Sequence, residues 1–306
     1  MTALRIGTRA SPLALWQAEH VRTALQARDP FLAVELVPMT TTGDRELAAP
    51  LHQIGGKGLF VKEIEAALLA GRVDLAVHSM KDVPAQQPPG LELAVILERE
   101  EVRDAFVSNQ YASDDALPAG ARVGSSSLRR RAQLLHRYPE LVLADLRGNV
   151  ATRLAKLDNG QFDAIILAAA GLKRLGLAER IRHLFAVEDS LPAVGQGAIG
   201  IEIRGDDEHT RALVAPLAHR ETSLCVLAER AMNRKLGGDC RLPVAALAQM
   251  QEDGTLLLRG RVASPDGQQL LHAEATGTDP VTLGATVADD LLKQGAGKIL
   301  RELPST

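Results

Sequence analysis

Cysteine is nearly missing from this chain. Its 306 residues hold two, Cys225 and Cys240, too few for a disulfide framework and without the Cys-x-x-Cys or paired-histidine spacing of a zinc site. A cysteine that matters here therefore matters chemically. Long apolar runs are missing too, and no stretch is long enough to span a bilayer. Met1 to Gly7 enters an apolar strand pattern at once, with no basic leader or cleavage site, so the expected location is cytoplasmic. An excess of one charge is also lacking. A net charge of −3 and a pI near 6.3 give no general attraction to nucleic acid or anionic membranes, so any anion site must be local. The chain has no Gly-x-x-x-x-Gly-Lys-Ser/Thr motif, which counts against a phosphoryl-handling enzyme, and no repeat or low-complexity tract.

What is present is ample apolar material: 46% hydrophobic residues, enough for two or three packed domains and too much for disorder. Arginine greatly outnumbers lysine, and its planar fork suits bidentate carboxylate or phosphate recognition. Codon bias toward arginine and alanine explains the composition as a whole, so position must decide which arginines act.

The first two thirds alternate strand and helix patterns. Leu4 to Gly7 reads as a strand, and Ser11 with Pro12 supplies an N-cap and first-turn proline for a helix whose apolar face includes Leu13, Trp16, Val21 and Leu25. Val34 to Val37 is the next strand. Phe60, Ile64, Ala67 and Leu68 follow helical spacing up to Gly71, and Val73 to His78 is the apolar run of a buried parallel strand. After Leu91 to Leu97 and the charged segment Glu98 to Glu101 the pattern restarts, with strands at Ala121 to Gly124, Leu141 to Ala144 and Ala164 to Leu167. Pro192 and glycines 195, 197 and 200 mark a hinge before a strand ending at Ile203, expected to return to the first sheet. From about residue 218 a helix, several strands and a terminal helix predict a small α+β unit. The expected domains are 1–97 with 198–216, 102–192, and 218–306.

Ligands of open α/β sheets bind beyond the carboxyl ends of the strands. Those positions carry Arg9 and Ser11, Thr40 to Asp44, Ser79 to Asp82, Gly124 to Arg130, Arg147 with Arg153 one turn on, and Arg174. The glycine and three serines of Gly124 to Ser127 lead from a strand into a helix and favour an anion, with Arg129 and Arg130 beside them. Taken alone, the segment reads better as an N-capped helix with solvated arginines. Against it stands the cost of gathering Arg147, Arg153 and Arg174 at the same edge without an anionic ligand. Asp82, a carboxylate in a cationic cleft, is placed to stabilise a cation or transfer a proton; Asp44 is the weaker second candidate, being part of a Gly-Asp turn signal. Cys225 lies in a helical apolar stretch and reads as a small buried hydrophobe. Cys240 lies in a glycine loop beside Arg241, where covalent chemistry and an ordinary loop cysteine are both open.

The blocks Arg5 to Ala14, Gly56 to Glu65, Ala76 to Pro84, Val123 to Arg130, Leu146 to Leu154, Pro192 to Ala198 and Gly238 to Cys240 resemble the hydroxymethylbilane synthase (porphobilinogen deaminase) family through all three expected domains. The resemblance implies two doubly wound α/β lobes like those of type II periplasmic binding proteins plus a small α+β C-terminal domain. It implies a monomer that extends a chain of four porphobilinogens on a dipyrromethane cofactor, held as a thioether on Cys240, and releases hydroxymethylbilane in haem biosynthesis, without nucleic acid, membrane or metal. Asp82 is then the catalytic carboxylate. Cofactor contacts fall to Ser79, Lys81, Asp82, Ser125, Ser127, Arg129, Arg130, Arg147 and Asp44. Substrate contacts fall to Arg9, Ser11, Lys57, Phe60, Arg147, Arg153, Arg174 and Gln196. Gln53 stands where some relatives place lysine, which bears on one peripheral cofactor contact. Each pyrrole carries an acetate and a propionate, which explains a multi-arginine cleft. A non-enzymatic two-lobed anion-binding protein would show much the same alternation, but has no use for a loop thiol.

Overall fold

The computed structural model describes residues 3–45, 58–238 and 242–303. Its first third runs β1 (Leu4–Arg9), α1 (Pro12–Arg28), β2 (Val34–Met39), α2 (Thr42–Arg45), α3 (Lys62–Leu69), β3 (Leu75–Ser79) and β4 (Leu91–Ile96). The next third holds β5 (Asp104–Val107), β6 (Arg122–Gly124), α4 (Leu128–Arg137), β7 (Val142–Ala144), α5 (Val150–Asp158), β8 (Ala164–Ala168), α6 (Ala169–Arg174) and β9 (His183–Leu184). The chain continues through β10 (Ile199–Arg204), α7 (Glu208–Val214), α8 (Arg220–Lys235), β11 (Val244–Met250), β12 (Leu256–Ala263), β13 (Leu270–Gly277), α9 (Pro280–Lys293) and α10 (Ala296–Arg301).

These strands form three sheets, ordered β2-β1-β3-β10-β4, β7-β6-β8-β5-β9 and β11-β12-β13. In the first two, parallel strands joined by helices are completed by one antiparallel strand: β10 beside β3 and β4, and β5 beside β8. The chain therefore passes between the two α/β lobes twice. The β10–β3 register pairs Ile199 with Ser79, so the second crossover ends beside the residues that follow β3. Met80 N donates to Ala198 O at 3.0 Å and closes that junction. Gly197, at φ 89°, lets the crossovers touch: a Cβ there would lie 2.4 Å from the Glu100 carbonyl oxygen.

Each sheet has its own apolar core. α1 covers the first through Ala18, Val21 and Leu25 against Ile6, Leu75 and Val77. α5 and α6 cover the second through Leu154, Leu157 and Leu172 against Ile165 and Leu167. α8 and α9 cover the antiparallel third sheet through Ala228, Met232, Val287 and Leu291. No helix among the described residues is long and apolar enough to cross a membrane.

Three local expectations change. Trp16 is 37% exposed rather than part of the α1 core, and stacks on His20 with ring centroids 5.2 Å apart. Its neighbour Gln17 is buried instead, because its amide has a partner in Ser79. Phe60 precedes α3 in a turn whose Gly58 holds φ 78°, so its helical spacing to Ile64 is coincidental. The segment after Glu101 returns at once to strand: β5 begins at Asp104.

Candidate active site

The carboxyl ends of β1, β3, β6, β7 and β8 face one another across a cleft of about 530 Å³ between the lobes. Ser11 caps α1, its Oγ accepting from Ala14 N at 3.4 Å, so its hydroxyl serves the helix as well as the cleft wall. Arg9 Nε donates to Asp44 Oδ2 at 3.2 Å, and a second Arg9 nitrogen pairs with the other carboxylate oxygen. The Arg9 guanidinium lies 4.2 Å from the Phe60 ring centroid. Thr41 Oγ1 also donates to Asp44, at 2.7 Å. Burial pushes the Asp44 carboxyl up, but Arg9 and Thr41 outweigh it and hold the group below its ordinary range.

At the end of β3, Ser79 and the Gln17 amide exchange hydrogen bonds of 2.8 and 3.1 Å. Met80 to Asp82 then form a single 3₁₀ turn that Val83 N closes onto Met80 O. Met80 is buried, and Lys81 and Asp82 border the cleft. The Asp82 carboxylate, with its side chain 29% exposed, lies 3.6 Å from Arg9 Nη1. Burial brings the Lys81 ammonium down to about 8, with Arg130 reinforcing the effect and Asp82 and Asp104 opposing it.

The second lobe supplies the other wall. Ser127 heads α4 without its hydroxyl returning to the helix. Ser126 Oγ ties two strand-end loops together, donating to Leu146 O and accepting from Leu146 N at 3.1 and 3.0 Å. Ser125 does not line the cleft; it is buried, its Oγ accepting from Ser127 N. Arg129 and Arg130 do border the cleft, yet they are neither solvated nor free for a ligand alone, because both clamp Asp104 at 2.7 Å. Gln196 Nε2 reaches the same carboxylate at 2.9 Å and Ser190 Oγ at 3.3 Å. Burial raises the Asp104 carboxyl, and the two guanidiniums overcome it to hold the group well below its ordinary range. Asp104 was not among the sequence candidates. The only hint in the sequence was an acidic residue opening the apolar run Ala105 to Val107.

Arg147 is buried at the cleft, and desolvation lowers its guanidinium. Arg153 Nε donates to Gly148 O at 2.7 Å. Arg174 Nη2 donates to Gly197 O at 2.7 Å, with its guanidinium 5.6 Å from the Trp16 ring, so it joins the second lobe to a crossover and to α1. Lys57, Gln53 and Cys240 lie outside the described residues. Cys225 is buried in α8, and burial pushes its thiol up to about 11, as suits an inert side chain.

Among the described residues seven cations, Arg9, Lys81, Arg129, Arg130, Arg147, Arg153 and Arg174, border the cleft with two carboxylates, Asp44 and Asp82. Arg153 registers the excess. Burial lowers it to about 10, Arg130, Arg147 and Arg9 repel it further, and Asp82 draws the other way. A site that raises the cost of its own positive charge is relieved by a ligand with several carboxylates, and a dipyrromethane with an acetate and a propionate on each ring fits that demand.

Comparison with known proteins agrees. The family model described as porphobilinogen deaminase, dipyromethane cofactor binding domain, matches residues 4–212, and that described as porphobilinogen deaminase, C-terminal domain, matches residues 223–293. Curated porphobilinogen deaminases from two strains of Acidithiobacillus ferrooxidans are 68% identical to this chain over 301 residues, covering 98% of it and 98% of each relative. Among solved structures, a periplasmic substrate-binding protein of an ABC transporter from Coxiella burnetii is 15% identical with a TM-score of 0.44, over 74% of this chain and 94% of its own. The matches to both family models and the identity along nearly the whole length show that this chain belongs to the porphobilinogen deaminase family.

Proposed function

We propose that Asp82 and the cationic cleft around it carry out the family's transferase reaction, the deaminative head-to-tail condensation of four porphobilinogens on a dipyrromethane held as a thioether by Cys240, ending in hydrolytic release of hydroxymethylbilane. One observation carries the reading: Asp82, its side chain 29% exposed, stands at the tip of a turn in a cleft where, among the described residues, seven cations meet two carboxylates. When bound, the dipyrromethane supplies a nucleophilic pyrrole carbon at which the chain grows. Lys81, Ser127, Arg129, Arg130 and Arg147 hold its carboxylates, with Ser79, Asp44 and, behind the wall, Ser125 shaping the pocket. Arg9, Ser11, Phe60, Arg153, Arg174 and Gln196 receive the substrate, and Lys57 completes that set.

The substrate's aminomethyl group leaves as ammonia, and the positive charge left behind needs a fixed anion in a site with little water. Asp82 meets that need: its carboxylate accepts from pyrrole N–H groups, offsets the cation, and takes the proton lost when the new carbon–carbon bond restores the ring. The Arg9 guanidinium stands 3.6 Å from Asp82 and is shared with Asp44. The domains proposed for this work are residues 1–97 with 198–216, 102–192 and 218–306, in a cytoplasmic monomer.

Asp82→Asn keeps the size and removes the charge. Its turnover is expected to fall by about a hundredfold or more with the melting temperature nearly unchanged. Near-parental turnover removes Asp82 from the mechanism. Intact mass after denaturation tests the attachment: Cys240→Ser is expected to lack the dipyrromethane mass and Cys225→Ser to keep it.

A further inference from the structure

Arg230 lies on α8, outside the cleft and only 4% exposed. It forms no ion pair among the described residues. Its donors go instead to three consecutive carbonyls: Nη1 to Val83 O at 3.2 Å, and Nη2 to Pro84 O at 2.8 Å and Ala85 O at 3.4 Å. Arg234, one turn further along, adds a bond to Ala85 O at 3.3 Å. Burial and the neighbouring Arg234 bring the Arg230 guanidinium down to about 10, with Glu202 drawing the other way. A buried cation without a counter-ion is costly, and an apolar side chain would fill the same space more cheaply. What an apolar side chain cannot do is satisfy three successive carbonyls, those of the buried Val83 and Ala85 and of the half-buried Pro84 between them.

Those carbonyls begin one residue after Asp82. On its other side the turn is anchored by Ser79 to Gln17 and by Met80 N to Ala198 O. The backbone of Asp82 is thus held from both ends, while its carboxylate keeps the 3.6 Å approach of Arg9. The same region meets the end of α8. Gly237 N and Gly238 N fold back onto Arg234 O and Asn233 O, and a Cβ on Gly238, at φ 66°, would lie 2.8 Å from Ala85 Cβ. From there the chain has two residues to travel to Cys240.

We propose that Arg230 is a positioning residue that locks the Asp82 turn to the end of α8, so that the reacting carboxylate and the root of the cysteine loop share one rigid frame. The proposal rests on the reading of Asp82 given above. A shift of the carboxylate by about 1 Å is enough to cost about a hundredfold in rate.

The test uses purified holoenzyme carrying Arg230→Met or Arg230→Lys, with kcat and KM for porphobilinogen, intact mass for the bound cofactor, and melting temperature. Arg230→Met is expected to lose about 10- to 100-fold in kcat with KM within about threefold and the cofactor mass retained. Arg230→Lys, able to reach one or two of the carbonyls, is expected to recover part of that loss. Unchanged kcat, a rise in KM alone, or loss of the cofactor overturns the proposal. So does an Arg230→Met chain that fails to fold beside an Arg230→Lys enzyme of parental turnover, since that pattern marks a structural arginine. A cycle with Asp82→Glu separates the two readings. If Asp82→Asn keeps near-parental turnover, the role of Asp82 falls; if Asp82→Glu alone keeps full turnover, the carboxylate tolerates displacement and the positioning role falls. If Asp82→Glu is impaired and Arg230→Met adds its whole loss on top, Asp82 stands and the positioning role falls; a loss that shrinks below about threefold in that background supports it.

Discussion

Asp104 answers a problem that two adjacent buried arginines create. Arg129 and Arg130 would repel each other at the cleft wall, and the completely buried carboxylate between them neutralises one charge and leaves one for the ligand. Asp104→Asn keeps the shape and strands both guanidiniums, so unfolding free energy is expected to drop by about 3 to 5 kcal/mol. Urea denaturation at neutral pH measures this, and a change below about 1 kcal/mol makes the pairing incidental. The parent's share of that stability is present above the ordinary carboxylate range and is lost as pH falls through the depressed value of Asp104 in the fold. Glu65 behaves in the opposite way. Burial raises it from 4.5 to about 7, the nearby Glu202 adds to the rise, and His78 and Lys62 oppose it. Glu202 is itself committed to His78, 3.0 Å away in the sheet. Between pH 4.5 and about 7 the folded chain binds more protons than the unfolded one, so this contribution is whole below 4.5 and lost as pH rises through 7. Glu65→Gln is accordingly expected to raise the melting temperature at pH 8 and to leave it nearly unchanged at pH 4.5; equal shifts at both would point to packing instead of charge.

Elements show where the sequence was readable and where it was not. Strands β3 and β8 are buried along most of their length and read as nearly continuous apolar runs, and the carboxyl ends of β1, β3, β6, β7 and β8 bring Arg9, Asp82, Ser127, Arg153 and Arg174 to one cleft. β5 was missed because its four residues open with an aspartate, a poor strand former whose reason for being there lies on α4. β9, with two residues, gives no period to read. Arg230 looked like an ordinary helical arginine, since nothing local says that α8 buries that face against Val83 to Ala85. The same helix carries Glu229, fully buried, which accepts from Arg99 at 2.6 and 3.1 Å, from Gly195 N at 2.7 Å and from Ala248 N at 2.9 Å. One side chain thereby joins both crossovers to the third sheet. Glu229→Gln keeps an acceptor for a backbone amide but leaves the Arg99 guanidinium unpaired, and a loss of about 3 kcal/mol in unfolding free energy is expected. If calorimetry gives the parental melting temperature, the junction does not depend on that charge.

The whole molecule sets a limit on how the product is made. The cleft between the lobes holds the Asp82 turn and, among the described residues, seven cations along its walls. Every added ring brings two more carboxylates, so the growing chain soon outnumbers the arginines and lysine that the cleft can offer at once. Either the chain slides past Asp82 or the lobes shift around it. The crossovers are tied to each other, by Arg99 Nε to Gln196 O at 2.7 Å and by Glu100 N to Gly197 O at 3.2 Å, and any shift of the lobes must work through this paired strap. With the proposed attachment at Cys240, both routes keep the intermediates on the protein. Brief exposure to limiting porphobilinogen, quenched in acid, is therefore expected to give a ladder of intact-protein masses, each one deaminated pyrrole above the last and none beyond four additions. Arg174→Leu should collect at one rung, because it frees Gly197 O and the Trp16 face at the seam between second lobe and strap. Should substrate be consumed while only the unextended mass is ever seen, even with Arg174→Leu and rapid quenching, growth on the enzyme is wrong for this protein.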